Sequence, residues 1–432
     1  MDQSDQNLSE RDHKRLGKEL DLFTFSDTVG KGLPLWTPKG ATIRRELERW
    51  VVDEELKMGY QHVYTPELAK LALYEKSGHY PYYKESMYAP IMIEEEKFML
   101  RPMTCPHHFE LYLSRPHSYK ELPIRYAELA KLFRFEKSGE LMGLQRVRSF
   151  CLADAHIMAR EDQAQNEIGL ALDLIDKLSK ILGLKYGKDN RPGNYFYRLS
   201  LGDRQDTKKY YQDDKAWDKA EEILRRVLKQ RKVEFVEAPG EAAFYGPKID
   251  IQMFNANGKE DTAFTVQYDF VMPKRFTLNY VNEEGKEEQA IVIHRSSIGA
   301  IERVIAFLIE FYGGAFPAWL APVQAEILPI ADRHREYSKK IEEELKEAGI
   351  RAELDDRSEK LGAKIRDAQR QKIPYMLVVG DKEAENLTVA VRSRSGRDYG
   401  SFPVQKFIEN LKKEIQTKSL KEDLVENPSQ KR

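Results

Sequence analysis

Three side chains with metal-binding chemistry sit far apart in the chain: Cys105 in RPMTCPHH, His156 in ADAHI and His294 in IVIHRSS. One thiolate with two imidazoles is a common zinc donor set, and three protein ligands leave a coordination position open for substrate. The wide spacing does not describe a local finger. The same residue types also fit a buried thiol and two hydrogen-bonded core histidines, so both readings stay open on residues alone.

A second group of residues suits phosphate. The chain has no GxxxxGK[ST] loop and no GxGxxG turn after a strand, so bound phosphates would have to be held by side chains. Arginine suits this because its planar fork pairs with two phosphate oxygens at once. Arg134 lies in LFRFE beside a polar loop, and Arg303 lies in GAIER within the first turns of an apolar helical stretch. Arg134 could equally be a surface charge on a strand, and Arg303 a partner of Glu302. The apolar neighbours Ile298, Ile301, Val304 and Ile305 argue against a fully solvated face for Arg303.

The elements that must position these residues follow from periodicity. IRRELERWVVDEELKM within 41–58 has the spacing of an amphipathic helix, and GYQHVYTPEL carries a short strand ending at Pro66. Residues 124–136 and 145–157 form two strands around the polar loop EKSGELMGL. Helical periods return over 163–183 and 214–231. KIDIQMF, FTVQYDF and QAIVIHR are successive strands. SSIGAIERVIAFLIEFYGG begins with serines suited to a helix N-cap and ends with glycines suited to a stop. This run predicts an α+β fold with an antiparallel sheet flanked by helices. GGAFPAWLAPVQ has the composition of a linker. Beyond it, strands and helices alternate through QAEILPI, YMLVVG, TVAVRSR and a last helix near 403–416, which predicts a small α/β domain with a mostly buried sheet. The expected division is a polar N-terminal extension at 1–20, a larger domain at 21–320, the small domain at 321–416 and a charged tail at 417–432.

Composition narrows the function classes. Of 432 residues, 41% are hydrophobic, enough for packed cores and too many for wholesale disorder. A net charge of −1 means that any nucleic-acid binding must come from locally clustered positive charge. Two cysteines make no disulfide framework. No apolar run approaches a membrane span, and the polar beginning lacks a signal core, so a cytoplasmic location and no membrane partner are expected.

Six collinear blocks carry a family resemblance over about residues 13–415. They are RPMTCPHH; FRFEKSG with GLQRVRSF and DAHI; AFYGPKID; TVQYDF; HRSSIGAIER with FPAWLAP; and DDRSEKLGAKIR with PYMLVVGDKE. The chain resembles the threonyl-tRNA synthetases of the class II aminoacyl-tRNA synthetase type. The resemblance implies a class II antiparallel catalytic sheet followed by an α/β anticodon-binding domain. It implies threonine–tRNA ligase activity: L-threonine and ATP, with Mg²⁺, give threonyl adenylate, and the amino acid passes to the 3′-end of tRNA(Thr). The alternatives are a related class II synthetase or a catalytically silent tRNA-binding paralogue.

By the same resemblance Cys105, His156 and His294 are ligands of one Zn²⁺ per subunit that binds the threonine amino and hydroxyl groups. Asp154 binds the hydroxyl, and Met103, Tyr245 and Gln267 line the pocket. Arg134 holds the α-phosphate, Glu136 the adenine amino group, Phe150 stacks on adenine, and Arg146 contacts the nucleotide or the tRNA end. Arg303 sits by the γ-phosphate. Lys248 is placed among the catalytic residues, with a structural ion pair as the competing role. The long helix and strand ending at Pro66 imply a homodimer interface. Ser358, Arg366, Glu383 and Arg392 match anticodon-reading positions, although Ser358 replaces a frequent asparagine. Cys151-Leu152-Ala153 is less polar than the family's usual residues before the aspartate, which puts one threonine contact in doubt. The chain has no HxxxH pair of the kind used by the family's editing domain, so no editing in cis is expected.

Overall fold

The structure is a computed structural model describing residues 11–422 and 424. The chain divides into two compact units. One comprises Phe25–Pro34 and Glu48–Phe307. The other comprises 11–24, Leu35–Leu47 and the chain from Leu308 onward.

The larger unit is built on a nine-stranded sheet. Its strands in chain order are β1 (Gln61–His62), β2 (Ile124–Phe133), β3 (Ser149–Ala159), β4 (Asn194–Leu201), β5 (Phe235–Pro239), β6 (Lys248–Phe254), β7 (Glu260–Asp269) and β8 (Ile291–Ala300). The spatial order is β5-β4-β6-β7-β8-β3-β2-β1, with a two-residue strand, Lys185–Tyr186, beside β4. Every pair from β4 to β2 is antiparallel. The outer pairs β4–β5 and β1–β2 are parallel, so the expected antiparallel sheet forms the centre and not the rims.

The central strands show why one face is free for a site. In β3, Ser149, Cys151, Ala153 and Ala155 are buried, whereas Phe150, Leu152 and Asp154 are only partly covered. That period of two puts the odd positions on the covered face and the even ones on the opposite face. The helix α1 (Pro38–Lys57) opens with proline at its first position, and Thr37 Oγ1 accepts the Gly40 amide at 3.3 Å. The short α2 runs over Cys105–Tyr112, α3 over Ala164–Ile181 and α4 over Asp214–Gln230. Ile168, Ala171, Leu172 and Ile175 of α3 are fully buried, and α3 packs on β8.

Two local expectations are corrected. Ser296 and Ser297 do not cap a helix; they belong to β8, which runs to Ala300, and α5 begins at Ile301 (Ile301–Tyr312). Ser296 pairs with Thr265 on one side and Asp154 on the other, and Ser297 Oγ donates to the buried Glu55 carboxylate at 2.9 Å. Strand partners on both sides outweigh a cap. The switch to helix occurs at a bulge holding Gly299 at φ +73°, where a side chain would meet the Ala263 carbonyl at 2.6 Å. The strand expected to reach Pro66 stops at His62. Beyond it the Thr65 hydroxyl and amide both turn to the Glu128 carboxylate, so the segment leaves the ladder before the proline.

In the other unit, β9 (Ala325–Pro329), β10 (Ala352–Leu354), β11 (Tyr375–Val379), β12 (Thr388–Ser393) and β13 (Asp398–Pro403) form a five-stranded sheet in the order β10-β9-β11-β12-β13. The first three strands are parallel and the last two antiparallel. Helices α6 (Arg335–Glu347), α7 (Leu361–Arg370) and α8 (Val404–Thr417) accompany it, and all of β11 is buried, as expected for its apolar run. The GGAFPAWLAPVQ stretch is packed and not a free linker: Phe316, Trp319 and Leu320 are buried, and Arg351 donates to the carbonyls of Trp319 and Ala321. Of the polar N-terminal stretch, His13–Glu19 forms a helix whose His13 Nδ1 lies 2.7 Å from Glu310 Oε1; positions 1–10 lie outside the described residues. So do 423 and 425–432, most of the end of the charged tail.

Candidate active site

Sheet register assembles the site. His156 of β3 pairs directly with His294 of β8, which pairs with Gln267 of β7, which pairs with Lys248 of β6. Registered partners in antiparallel strands project to the same face, so these side chains form one row across four strands. The neighbouring row on that face holds Glu128, Asp154, Ser296, Thr265 and Asp250. Cys105 comes from elsewhere, as the first residue of α2, with Pro106 next to it.

Over this face lies a cleft of about 660 Å³. Of the residues singled out from sequence, it is lined by Met103, Cys105, Arg134, Glu136, Arg146, Asp154, His156, Tyr245, Gln267 and His294. Ligand atoms of Cys105, His156 and His294 lie within 4.8 Å of one another, and all three residues are buried. Burial, with Asp154 and Asp269 nearby, pushes the Cys105 thiol well up; burial, with His294 and His108 nearby, holds His156 well down. A Cys105 thiol kept protonated and a His156 imidazole held neutral beside His294 need a cation to turn the thiol into a thiolate ligand, and one thiolate with two imidazoles fits a divalent metal. His294 Nε2 is 2.7 Å from Asp269 Oδ2, so its Nδ1 is the nitrogen left for a ligand bond.

Next to the trio, the Tyr245 hydroxyl donates to Gln267 Oε1 at 2.5 Å. Burial raises Asp154 above its usual range, opposed in part by the Arg295 guanidinium. At the other end, Arg134 is accessible to the cleft, and its guanidinium lies 5.1 Å from the Phe150 ring centre. Burial and the neighbouring charge of Arg303 hold Arg134 below its usual range. Two cations that repel each other make a receptor for an anion. Arg303 itself is exposed, contrary to the expectation of a less solvated position, and its Nε is 3.4 Å from the Gln145 carbonyl. The neighbouring Glu302 turns inward and accepts the Cys151 amide at 2.8 Å. Glu136 and Arg146 pair with each other at 2.7 Å across the β2–β3 hairpin.

Other predicted positions lie apart from the cleft. Lys248 Nζ is 2.9 Å from Asp250 Oδ2, a fully buried carboxylate that also takes Ser200 and Arg198, so it serves the ion-pair role. Pro66 is exposed in the loop after β1. Of the anticodon-reading positions, Ser358 and Arg366 are exposed, Glu383 accepts the Gly380 amide at its own helix start, and Arg392 pairs with Asp398 at 2.9 Å.

Sequence reasoning missed His79. It is buried in the cleft wall, its Nδ1 is 2.7 Å from Ser77 Oγ, and burial, with the Arg275 and Arg134 charges nearby, pulls it down to about 3. It occurs in SGHYP, which carries no recognisable spacing.

With this geometry in view, comparison with known proteins is specific. Residues 88–312 match the tRNA synthetase class II core domain (G, H, P, S and T), and residues 324–414 match an anticodon binding domain. A threonine–tRNA ligase from Anoxybacillus flavithermus is 50% identical over 411 residues, covering 95% of this chain and 63% of that one. One from a Geobacillus species is 51% identical over the same length. The chain thus spans a little under two thirds of the length of these bacterial relatives. The structure also superposes on the RNA-binding domain of threonyl-tRNA synthetase from Cryptosporidium parvum with a TM-score of 0.87 at 33% identity, covering 96% of this chain and 100% of that one. A class II core sheet carrying the Cys105–His156–His294 cluster, followed by an anticodon-binding domain, places this chain in the threonyl-tRNA synthetase family of class II aminoacyl-tRNA synthetases.

Proposed function

We propose that the chain activates L-threonine with ATP and transfers it to the 3′-end of tRNA(Thr), using one Zn²⁺ per subunit and ATP complexed with Mg²⁺. The observation that carries this reading is the convergence of one thiol and two imidazoles in the same cleft as Arg134. A zinc ion held there would bind the amino and β-hydroxyl groups of threonine.

The chain's own residues do the rest. Asp154 accepts the substrate hydroxyl, and Tyr245 and Gln267, already hydrogen-bonded to each other, close the side of the pocket. Arg134 and Arg303 bind the triphosphate and stabilise charge shifting onto pyrophosphate as it leaves. Phe150, 5.1 Å from the Arg134 guanidinium, offers a face to adenine, and Glu136, now paired with Arg146, would take the adenine amino group while Arg146 contacts the nucleotide or the tRNA end. The adenylate is already activated, so positioning supplies most of the rate and little acid–base work is required.

Homodimer formation around Pro66 is supported by Tyr64, 95% exposed, and Leu56, 51% exposed, on the same segment. Ser358, Arg366, Glu383 and Arg392 would meet splayed anticodon bases through edge hydrogen bonds. Among the described residues no helix is long and apolar enough to cross a membrane.

The test is amino-acid-dependent ATP–pyrophosphate exchange with threonine, serine, proline, glycine and histidine, alongside metal analysis of the purified protein. Threonine-selective exchange with one zinc per chain is expected. Exchange driven best by another amino acid, or zinc without any exchange, would replace this reading.

A further inference from the structure

A histidine can bind a metal through Nε2 only if its proton sits on Nδ1, and something must hold it there. His156 Nδ1 lies 2.8 Å from Nδ1 of His108, a fully buried residue. His108 Nε2 lies 3.2 Å from Glu128 Oε2. Glu128 is 3% exposed and accepts three further hydrogen bonds: from Arg101 Nη2 at 2.8 Å, the Thr65 hydroxyl at 2.7 Å and the Thr65 amide at 3.3 Å. Arg101 is anchored in turn by its Nε on the Lys131 carbonyl at 2.6 Å.

Donor and acceptor counting then leaves one arrangement for two neutral rings. An ionised carboxylate only accepts, so His108 Nε2 carries a proton and its Nδ1 is an acceptor. His156 Nδ1 must therefore be the donor. Its remaining lone pair is on Nε2, the nitrogen on the side of Asp154, 3.9 Å away. The second function of α2 appears here. Cys105 and His108 are three residues apart on this helix and both are buried, so the helix that supplies one candidate ligand also orients another.

We propose that His108 and Glu128 are positioning residues for the metal centre: a buried carboxylate–imidazole–imidazole relay that fixes the tautomer and ring plane of His156. This rests on the zinc reading above. Outer partners of ligating histidines set ring orientation and ligand basicity, and their loss costs about 10- to 100-fold in metal affinity.

The experiment measures zinc affinity by chelator competition, and the visible absorption of the cobalt(II)-substituted protein, for the wild-type chain and for His108→Leu, His108→Asn and Glu128→Gln. His108→Leu is expected to weaken zinc by about 10- to 100-fold and to alter the cobalt bands. His108→Asn, whose side-chain oxygen can still accept from His156 Nδ1, should recover most of both. If His108→Leu does not fold, Glu128→Gln, which keeps the shape and removes the charge, should still weaken zinc several-fold and shift the cobalt bands. Wild-type affinity and unchanged cobalt bands in folded His108→Leu or Glu128→Gln would overturn the relay while leaving the zinc site standing. A wild-type chain that takes up no zinc would instead overturn the parent reading, and the relay with it.

Discussion

His156 and His294 stand directly opposite each other on β3 and β8, with ring centres 4.6 Å apart and planes at 85°. The pairing is set by backbone register: a slip of either strand by one residue would send its own ring to the opposite face and part the two. Cys105 completes the set from a different element, so the cluster is a direct readout of correct folding. Cys105→Ser is expected to reduce bound zinc from one per chain to near zero and to lower threonine-dependent pyrophosphate exchange by at least about 100-fold. Cys151 is the internal control. It is buried on the opposite face of β3 and should lose neither metal nor activity when changed to serine. Metal analysis of both variants decides; equal zinc in the two would remove Cys105 from the site.

Arg134 and Arg303 should act on rate more than on stability. Each is a cation near the other, and their repulsion outweighs the attraction of Glu136 for Arg134. Replacing either with alanine is expected to lower kcat in pyrophosphate exchange by about 10²- to 10³-fold, the usual cost of one preorganised charge on a departing group. Lysine should rescue poorly because a point charge cannot reproduce the two-pronged contact. Melting curves with and without ATP give a second reading. ATP should raise the wild-type Tm more than that of either variant. An ATP-induced shift unchanged in Arg134→Ala would place the triphosphate elsewhere.

Much of this site was legible before any coordinates. Cys105, His156 and His294 are of rare types in this chain, with two cysteines and nine histidines, and Arg134 and Asp154 stand beside them in collinear motifs. Distance-dependent facts were not legible. His79, His108 and Glu128 gain meaning only through neighbours that the fold supplies. The SSIGA segment carried a cap signal that loses to two strand partners. β4 and β5 are not legible in the sequence because β5 is a five-residue edge strand and β4, paired in parallel with it, lacks a clean two-residue alternation. The pairing of Lys248 with Asp250 could not be told from a catalytic placement without a distance.

The proposed pocket makes a graded statement about near-substrates. Valine has nearly the shape of threonine but offers no hydroxyl to Asp154 or to a metal, and leaving those groups unpaired is costly. Its kcat/KM in pyrophosphate exchange should fall by about 10⁴-fold relative to threonine. Serine keeps the hydroxyl and loses one methyl, so its deficit should be only about 10- to 200-fold. Leu152, partly exposed to the cleft where the family usually has a more polar residue, would add an apolar wall to the proposed pocket. Asp154→Asn should narrow the gap between threonine and valine; a variant that retained the full gap would exclude Asp154 from hydroxyl recognition.

The smaller unit contains a pH-sensitive carboxyl. Glu326 of β9 stands in register with Glu353 of β10, and its Oε2 is buried without a hydrogen-bond partner. Burial first, and then the charges of Asp355 and Glu353, push it from the ordinary 4.5 up to about 7. Between those values the folded chain holds a proton that the unfolded chain has released. The stability tied to this proton is therefore full below about pH 4.5 and lost as pH rises through about 7. Glu326→Gln keeps the shape and cannot ionise. It should be more stable than wild type by about 2–3 kcal/mol at pH 8, with the advantage shrinking toward zero near pH 4.5. Urea unfolding of both proteins at the two pH values measures this directly. A difference that stayed constant with pH would mean that Glu326 keeps an ordinary carboxyl pKa in the folded chain.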